Sequence, residues 1–147
     1  MIENKNILLG VSGGIASYKV LELCSRLKKK NVNLSIIMTP AATEFISPLS
    51  FETMGRCKVY TDMWEGHHES VHHIDLPKWA DIMLIAPATA STIGKMANGI
   101  SDNFLTASYL ACKKDVIIAP SMNTQMLLNP ATQKNIETLK SYGVKVI

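Results

Sequence analysis

The chain has 147 residues, 47% of them hydrophobic and 18% charged, with a formal net charge of +3. That suits one globular domain with a real core, and the excess charge is too small and too scattered to argue for nucleic acid. Met1 to Asn6 carries no hydrophobic signal region, and no apolar run approaches the ~20 residues that span a bilayer, so no membrane association and a cytoplasmic location are expected.

Ile7 to Val11 is a short apolar run ending in Ser12-Gly13-Gly14, which reads as a buried strand entering a tight turn. From Ile15 to Lys30 the period becomes helical, with Ile15, Val20, Leu23 and Leu27 on one face. Lys28-Lys29-Lys30 closes that helix, where cations suit the negative end of the dipole, and reads as a solvated helix end. Val32 to Met38 alternates and is rich in branched residues, a second strand. Strand, helix and strand in about thirty residues form a βαβ unit, with parallel pairing and a right-handed crossover.

A helix starts after Pro40 over Ala41 to Phe45, and a strand over Asp81 to Ala86 ends at Pro87. Thr89 to Ala97 and Phe104 to Cys112 read as helices, with Gly99 as a C-cap after the first. Val116 to Ala119 is a strand ending at Pro120, Pro130 to Tyr142 a helix, and Val144 to Ile147 the start of another strand. The expected fold is α/β, a doubly wound, mostly parallel sheet of the Rossmann or flavodoxin-like kind, in a single domain over residues 1–147.

In such folds ligands bind beyond the carboxyl ends of the strands. Four segments fall there: Ser12-Gly13-Gly14, Thr39-Pro40, Pro87 to Thr92, and Pro120 to Asn123. The glycines let a ligand approach the backbone, and the following helix offers free N–H groups to an anion. On the residues alone, phosphate binding and a merely tight turn both stand, because the loop is neither a Walker motif nor the dinucleotide fingerprint. Thr39 either adds a hydroxyl at the same phosphate or caps a helix ahead of Pro40. Asn123 and Gln125 either bind a carboxylate or amide or fix their turn. Met122 and Met126 offer soft apolar surface. Lys95 and Asp102 read either as site residues or as a surface ion pair.

Four histidines cluster at His67, His68, His72 and His73. The stretch shows no helical apolar stripe and no nearby cysteine, so no metal is expected. Ile74 and Leu76 draw His73 towards packed structure, where it is either a general base or a satisfied structural histidine. Cys24, Cys57 and Cys112 are scattered and odd in number, which gives no disulfide framework.

Taken in order, these segments resemble the homo-oligomeric flavin-containing cysteine decarboxylases, and among them those acting on phosphopantothenoylcysteine. The likeness runs over the whole chain. It rests on Gly10 to Lys19, on His73-Ile74-Asp75-Leu76 followed by Trp79-Ala80-Asp81, on Pro87-Ala88-Thr89-Ala90 with Lys95 to Gly99 and Asp102-Asn103, and on Pro120-x-Met122-Asn123-x-x-Met126. The resemblance implies FMN as cofactor, oxidation of the substrate's cysteine thiol to a thioaldehyde, and loss of CO2 to an enethiolate. It implies His73 as the acid/base residue and Asn123 as a catalytic and substrate-binding residue, with Met122 and Lys95 beside it. Ser12, Gly13, Gly14, Thr39, Phe45, Thr89, Ala90, Ser91 and Thr92 would hold FMN, Phe45 as a wall for the ring.

It further implies a homotrimer or dodecamer with FMN at subunit contacts, a place in coenzyme A biosynthesis, and often fusion to a phosphopantothenoylcysteine synthetase. Two positions depart from the pattern, Ser91 where Asn is common and Leu127 where Trp is common. Members acting on phosphopantothenoylcysteine continue into a flap with a Gly-Cys segment for the final reduction, and the domain is expected to lack that flap. A peptidyl-cysteine decarboxylase that stops at the enethiol and a non-catalytic FMN-binding regulatory subunit are the alternatives.

Overall fold

Apolar residues at odd and even positions alike bury the central strands on both faces. In β1 (Asn6–Val11), Ile7, Leu9 and Val11 face one side and Leu8 the other. In β2 (Asn33–Met38), Leu34, Ile36 and Met38 are divided from Ile37 in the same way. β4 (Ile82–Ala88) sends Met83 and Ile85 to the Leu8 side. Strands covered on both faces belong to a parallel sheet between helical layers. In the computed structural model, which describes residues 1–64 and 71–147, that is the architecture.

With β3 (Val59–Tyr60), β5 (Asp115–Pro120) and β6 (Lys145–Val146), the sheet has six strands ordered β3-β2-β1-β4-β5-β6. All of its pairings are parallel. One face is covered by α1 (Ser17–Lys29), α2 (Pro40–Thr43) and α3 (Pro48–Gly55), through Val20, Cys24, Leu27, Ala42 and Phe51. The other is covered by α4 (His72–Trp79), α5 (Ala90–Ala97), α6 (Phe104–Ala111) and α8 (Pro130–Ser141), through Leu76, Ile93, Leu105 and Ile136 among others. The short α7 (Thr124–Leu128) packs against α8. No helix among the described residues is long and apolar enough to cross a membrane.

The strand order reverses between β1 and β4, where successive crossovers leave to opposite faces and open a crevice at the carboxyl ends. The expected elements are all present, with ends shifted by one or two residues. Four elements are additional: α3, β3, α4 and α7. α4 corrects the reading of the histidine stretch as non-helical, since it opens on His72 and His73 and carries Pro77 in its interior. Leu76 and Pro77 turn inward while Asp75 and Lys78 stay in solvent, too short a pattern to register as a stripe. His67 and His68 lie outside the described residues.

Leu105 of α6 packs directly over Gly10 of β1. A Cβ built there would stand 2.8 Å from Leu105 Cδ1 and 3.4 Å from Ile85 Cγ1, both side chains fully buried. Gly10→Ala should therefore lower unfolding free energy by about 1–3 kcal/mol through overpacking; an unchanged denaturation midpoint would show that α6 accommodates the methyl without strain. A second prediction concerns Cys24, which is fully buried under α1. Burial above all, with the neighbouring Cys57 thiol, pushes its pKa from 9.0 to about 12. A raised folded-state pKa gives stability that is fully present below pH 9 and lost as pH rises towards 12. Stability should thus fall over that interval, and less steeply in Cys24→Ala than in the parent.

Candidate cofactor and substrate site

A cavity of about 800 Å3 opens at the β1/β4 crevice, inside the ~300–1,000 Å3 range of cofactor and ligand sites. All four segments that follow a strand contribute to it. After β1 come Gly13, Gly14 and Ile15; after β2, Thr39 with Pro40 and Ala41; after β4, Thr89 to Thr92; after β5, Ser121 to Asn123. Lys95, Asp102, Asn103 and Met126 complete the wall.

The β1 end of the cavity is rich in uncommitted N–H groups. α1 begins without a side-chain cap and without an acid in its first turn. The amides of Gly13, Ile15 and Ala16 have no acceptor among the described residues. Helices α2, α3, α5, α6, α7 and α8, by contrast, are each capped by a Thr, Ser or Asn side chain. Free amides at the positive end of a thirteen-residue helix are the physical requirement for an anion. Gly13 is needed for this loop, because a Cβ there would lie 2.5 Å from Ala41 Cβ and 2.8 Å from its backbone carbonyl carbon.

Thr39 takes the capping role and also lines the cavity. Its Oγ1 accepts from Ala42 N at 3.2 Å, capping α2, while the side chain lines the cavity and keeps its own proton to donate. Thr89 caps α5 in the same manner, accepting from Thr92 N at 3.2 Å, with its hydroxyl 3.2 Å from that of buried Thr92. Ala90 and Ser91 follow in the first turn of α5 and share the wall.

Asn123 caps α7 by accepting from Gln125 N at 2.8 Å, which turns its side-chain oxygen to the helix and leaves the amide nitrogen as a donor. Met122 is half-buried between the cavity and the core, and exposed Met126 follows one turn along α7. Lys95 Nζ is 3.0 and 3.1 Å from the two Asp102 oxygens. The surface ion pair and the site residue are therefore the same thing, a cation held at the rim. Ile15, Ala41 and Asn103 belong to the wall without having been read as candidate ligand contacts. Their shared signal was position, immediately past a strand or before a helix.

Three expected residues lie outside the wall. Ser12 is almost wholly buried beneath it, its hydroxyl donating to Pro87 O at 2.6 Å and accepting from Thr89 N at 3.0 Å. Phe45 stands exposed just past α2. His73 is half-buried in the first turn of α4, at the same end of the sheet, and does not reach this cavity. Cys57 and Cys112 are likewise held as thiols, raised mainly by burial, Cys57 to about 11. None of the three cysteines lines the cavity.

The comparisons with known proteins agree over the whole chain. The bifunctional coenzyme A biosynthesis protein CoaBC of Bacillus subtilis is 48% identical over 144 residues, 97% of this chain and 36% of that protein. The chain thus spans about a third of the CoaBC relatives it matches. A Streptococcus mutans protein named "Probable phosphopantothenoylcysteine decarboxylase" is 43% identical, covering 97% of this chain and 82% of its own length. Among solved structures, the FMN-dependent cysteine decarboxylase SpaF superposes with a TM-score of 0.94 at 31% identity, covering 100% of this chain and 85% of its own. A variant PPC decarboxylase complexed with pantothenoylaminoethenethiol gives 0.89 at 33%, covering 99% and 82%. The family described as Flavoprotein matches residues 1–147, and the chain belongs to that family.

Proposed function

We propose that this chain binds FMN and decarboxylates the cysteine moiety of phosphopantothenoylcysteine in coenzyme A biosynthesis, in the cytoplasm. The observation that carries the reading is the cavity itself. Uncommitted amides suited to a phosphate and the side-chain amide of Asn123, suited to a carboxylate, border the same cavity, in a chain 48% identical to a coenzyme A biosynthesis protein. When bound, FMN would supply a hydride acceptor, so that the thiol-bearing carbon is oxidised and CO2 leaves an electron pair that delocalises into the thiocarbonyl.

The chain's own residues then have distinct tasks. The amides of Gly13, Ile15 and Ala16, with the hydroxyl of Thr39, hold the phosphate end, and Gly14 and Thr89 to Thr92 line the rest of the cofactor's bed. Ser12 acts beneath that bed by fixing Thr89. Asn123 donates its amide to the substrate carboxylate, Met122 offers it an apolar wall, and Lys95 supplies a positive charge that Asp102 keeps at the rim.

His73 is the acid/base group, and its place outside the wall of its own cavity supports an assembly in which protomers share sites. Ile15, Tyr18, Phe45 and Met126 are exposed, Ile15 at 74%, an apolar rim suited to contact with another copy and, at Phe45, to a flavin ring. A homotrimer, alone or as a dodecamer, fits this reading, as does fusion to a phosphopantothenoylcysteine synthetase in the longer protein. The likeness to the peptidyl-cysteine decarboxylase EpiD, with a TM-score of 0.86 at 30% identity, keeps a peptidyl-cysteine substrate as the second reading.

The purified protein should be yellow or become so with added FMN, and should release CO2 from phosphopantothenoylcysteine but not from a peptide ending in cysteine. Failure to take up flavin would overturn the proposal, and the reverse substrate preference would select the second reading. His73→Asn should keep FMN and lose about 100-fold or more in CO2 release, the scale of general acid/base catalysis. Unchanged release by that variant would remove His73 from the chemistry.

A further inference from the structure

At the opposite end of the sheet, a groove of about 440 Å3 runs beneath the edge of β2 and β3 and past the end of α4. Three cations reach it from three elements: Lys28 from the last turn of α1, Arg56 from the turn after α3, and Lys58 from the approach to β3. No carboxylate lines it among the described residues. Among the described residues neither Arg56 nor Lys58 is in an ion pair there, and Lys28 bonds the Val32 carbonyl at 3.0 Å. Glu52 acts on the Cys57 thiol from outside the wall. Lys28 was expected to be an ordinary solvated helix end; in the fold it turns into this groove.

A second observation is independent of charge. Ser35, on β2, lines the groove at 8% exposure, and its hydroxyl has no hydrogen-bond partner among the described residues. That hydroxyl opens onto the groove, where a polar group of a ligand can bond it. Two aromatic rings also line it, among Asn33, Leu34, Cys57 and Leu76. Trp79 is 38% exposed beside the cations, and Tyr60 carries Lys58 Nζ 4.7 Å from its ring centroid.

We propose that this groove is a second ligand site, for a small organic phosphate bearing a flat ring, the chemistry of a nucleotide. Arg56, Lys58 and Lys28 take the phosphates, the Ser35 hydroxyl gives or accepts one hydrogen bond, and the ring lies against Trp79. Arginine and lysine suit phosphate, and an exposed indole suits a stacked base. The site is separate from the flavin cavity, since Ser35 and Thr39 stand ~13 Å apart along β2 at the strand rise. It is also independent of the decarboxylase reading, because none of its residues serves that cavity.

The test is calorimetric titration of the flavin-loaded protein with ADP, adenosine and inorganic phosphate. ADP should bind saturably at one equivalent without displacing flavin, and adenosine and phosphate should each bind at least about ten-fold more weakly. Arg56→Asn keeps a residue that tolerates the left-handed backbone seen at φ 47°, and it and Lys58→Gln should each weaken ADP about ten-fold, as one charge-assisted hydrogen bond requires. Ser35→Ala should weaken ADP as well. Flavin absorbance reports that each variant is folded. Absence of saturable ADP binding, equal affinity for phosphate alone, or undiminished affinity in the Arg56→Asn, Lys58→Gln double variant would overturn the proposal. If the chain held no flavin, the same titration on the chain alone would still read this groove.

Discussion

The hydroxyl of Ser12 is the joint on which the rest of the site is hung. At the reversal of strand order, β1 and β4 run side by side and their following helices leave to opposite faces of the sheet. Nothing in the ladder itself holds the two carboxyl ends together beyond Gly10 and Ile85, where their pairing stops. Ser12 continues the contact by side chain, donating to Pro87 O and accepting from Thr89 N, while its own N–H also reaches Pro87 O at 3.3 Å. Because these groups are buried, losing the hydroxyl would leave a carbonyl and an amide without that partner. Thr89, once fixed, caps α5 and thereby sets Ala90, Ser91 and Thr92. The anion loop on one side and the α5 turn on the other are therefore positioned by one residue that does not itself line the cavity.

The electrostatics of the cavity follow from the same topology. In a doubly wound sheet every helix after a strand begins at the strand's carboxyl end, so positive helix termini gather there. Most are neutralised locally by caps: Thr39, Thr89, Asn103 and Asn123 accept from their own helices. α1 alone among those bordering the cavity is left open, and the glycines beside it keep side chains away from its amides. Among the described residues the only formal charges on the wall are Lys95 and Asp102, paired with each other. Any preference for an anion at one end would thus come from backbone dipoles, which hold their direction without costing side-chain entropy.

Much of this was legible in the sequence because the long elements obey simple periods. The strand runs at Ile7, Val32, Asp81 and Val116, and the turns beyond them, located the cavity without reference to any contact. What was not legible has physical causes. β3 has two residues, too short for an alternation to show, and is defined by its partners Ile36 and Ile37 rather than by itself. α4 has eight residues with Pro77 inside, and its burial depends on α6 and on Tyr60, which touches both His72 and Phe104 with ring centroids 5.0 and 5.6 Å away. Ser12 was legible as a site residue but not as one facing away from the ligand, because a hydroxyl's partner is a tertiary fact. Phe45 and His73 stand in the expected regions of the chain, yet no local signal tells whether their side chains serve their own cavity or a neighbour's.

That last distinction bears on how such a site divides its labour. The groups lining the cavity from within one chain bind: amides, hydroxyls, an amide side chain and a paired lysine. The wall's one carboxylate among the described residues, Asp102, is paired with Lys95, and the cysteines, outside the wall, are held as thiols by burial. In the proposed function proton transfer falls to the imidazole of His73, outside this wall. If His73 is the acid/base residue, its place on a separate helix, α4, would let a single chain bind cofactor and defer chemistry until the helix is brought against a cavity. Binding and catalysis in this domain would then separate at the level of assembly, with the Ser12 joint serving the first and the exposed rim of Ile15, Tyr18 and Phe45 serving the second.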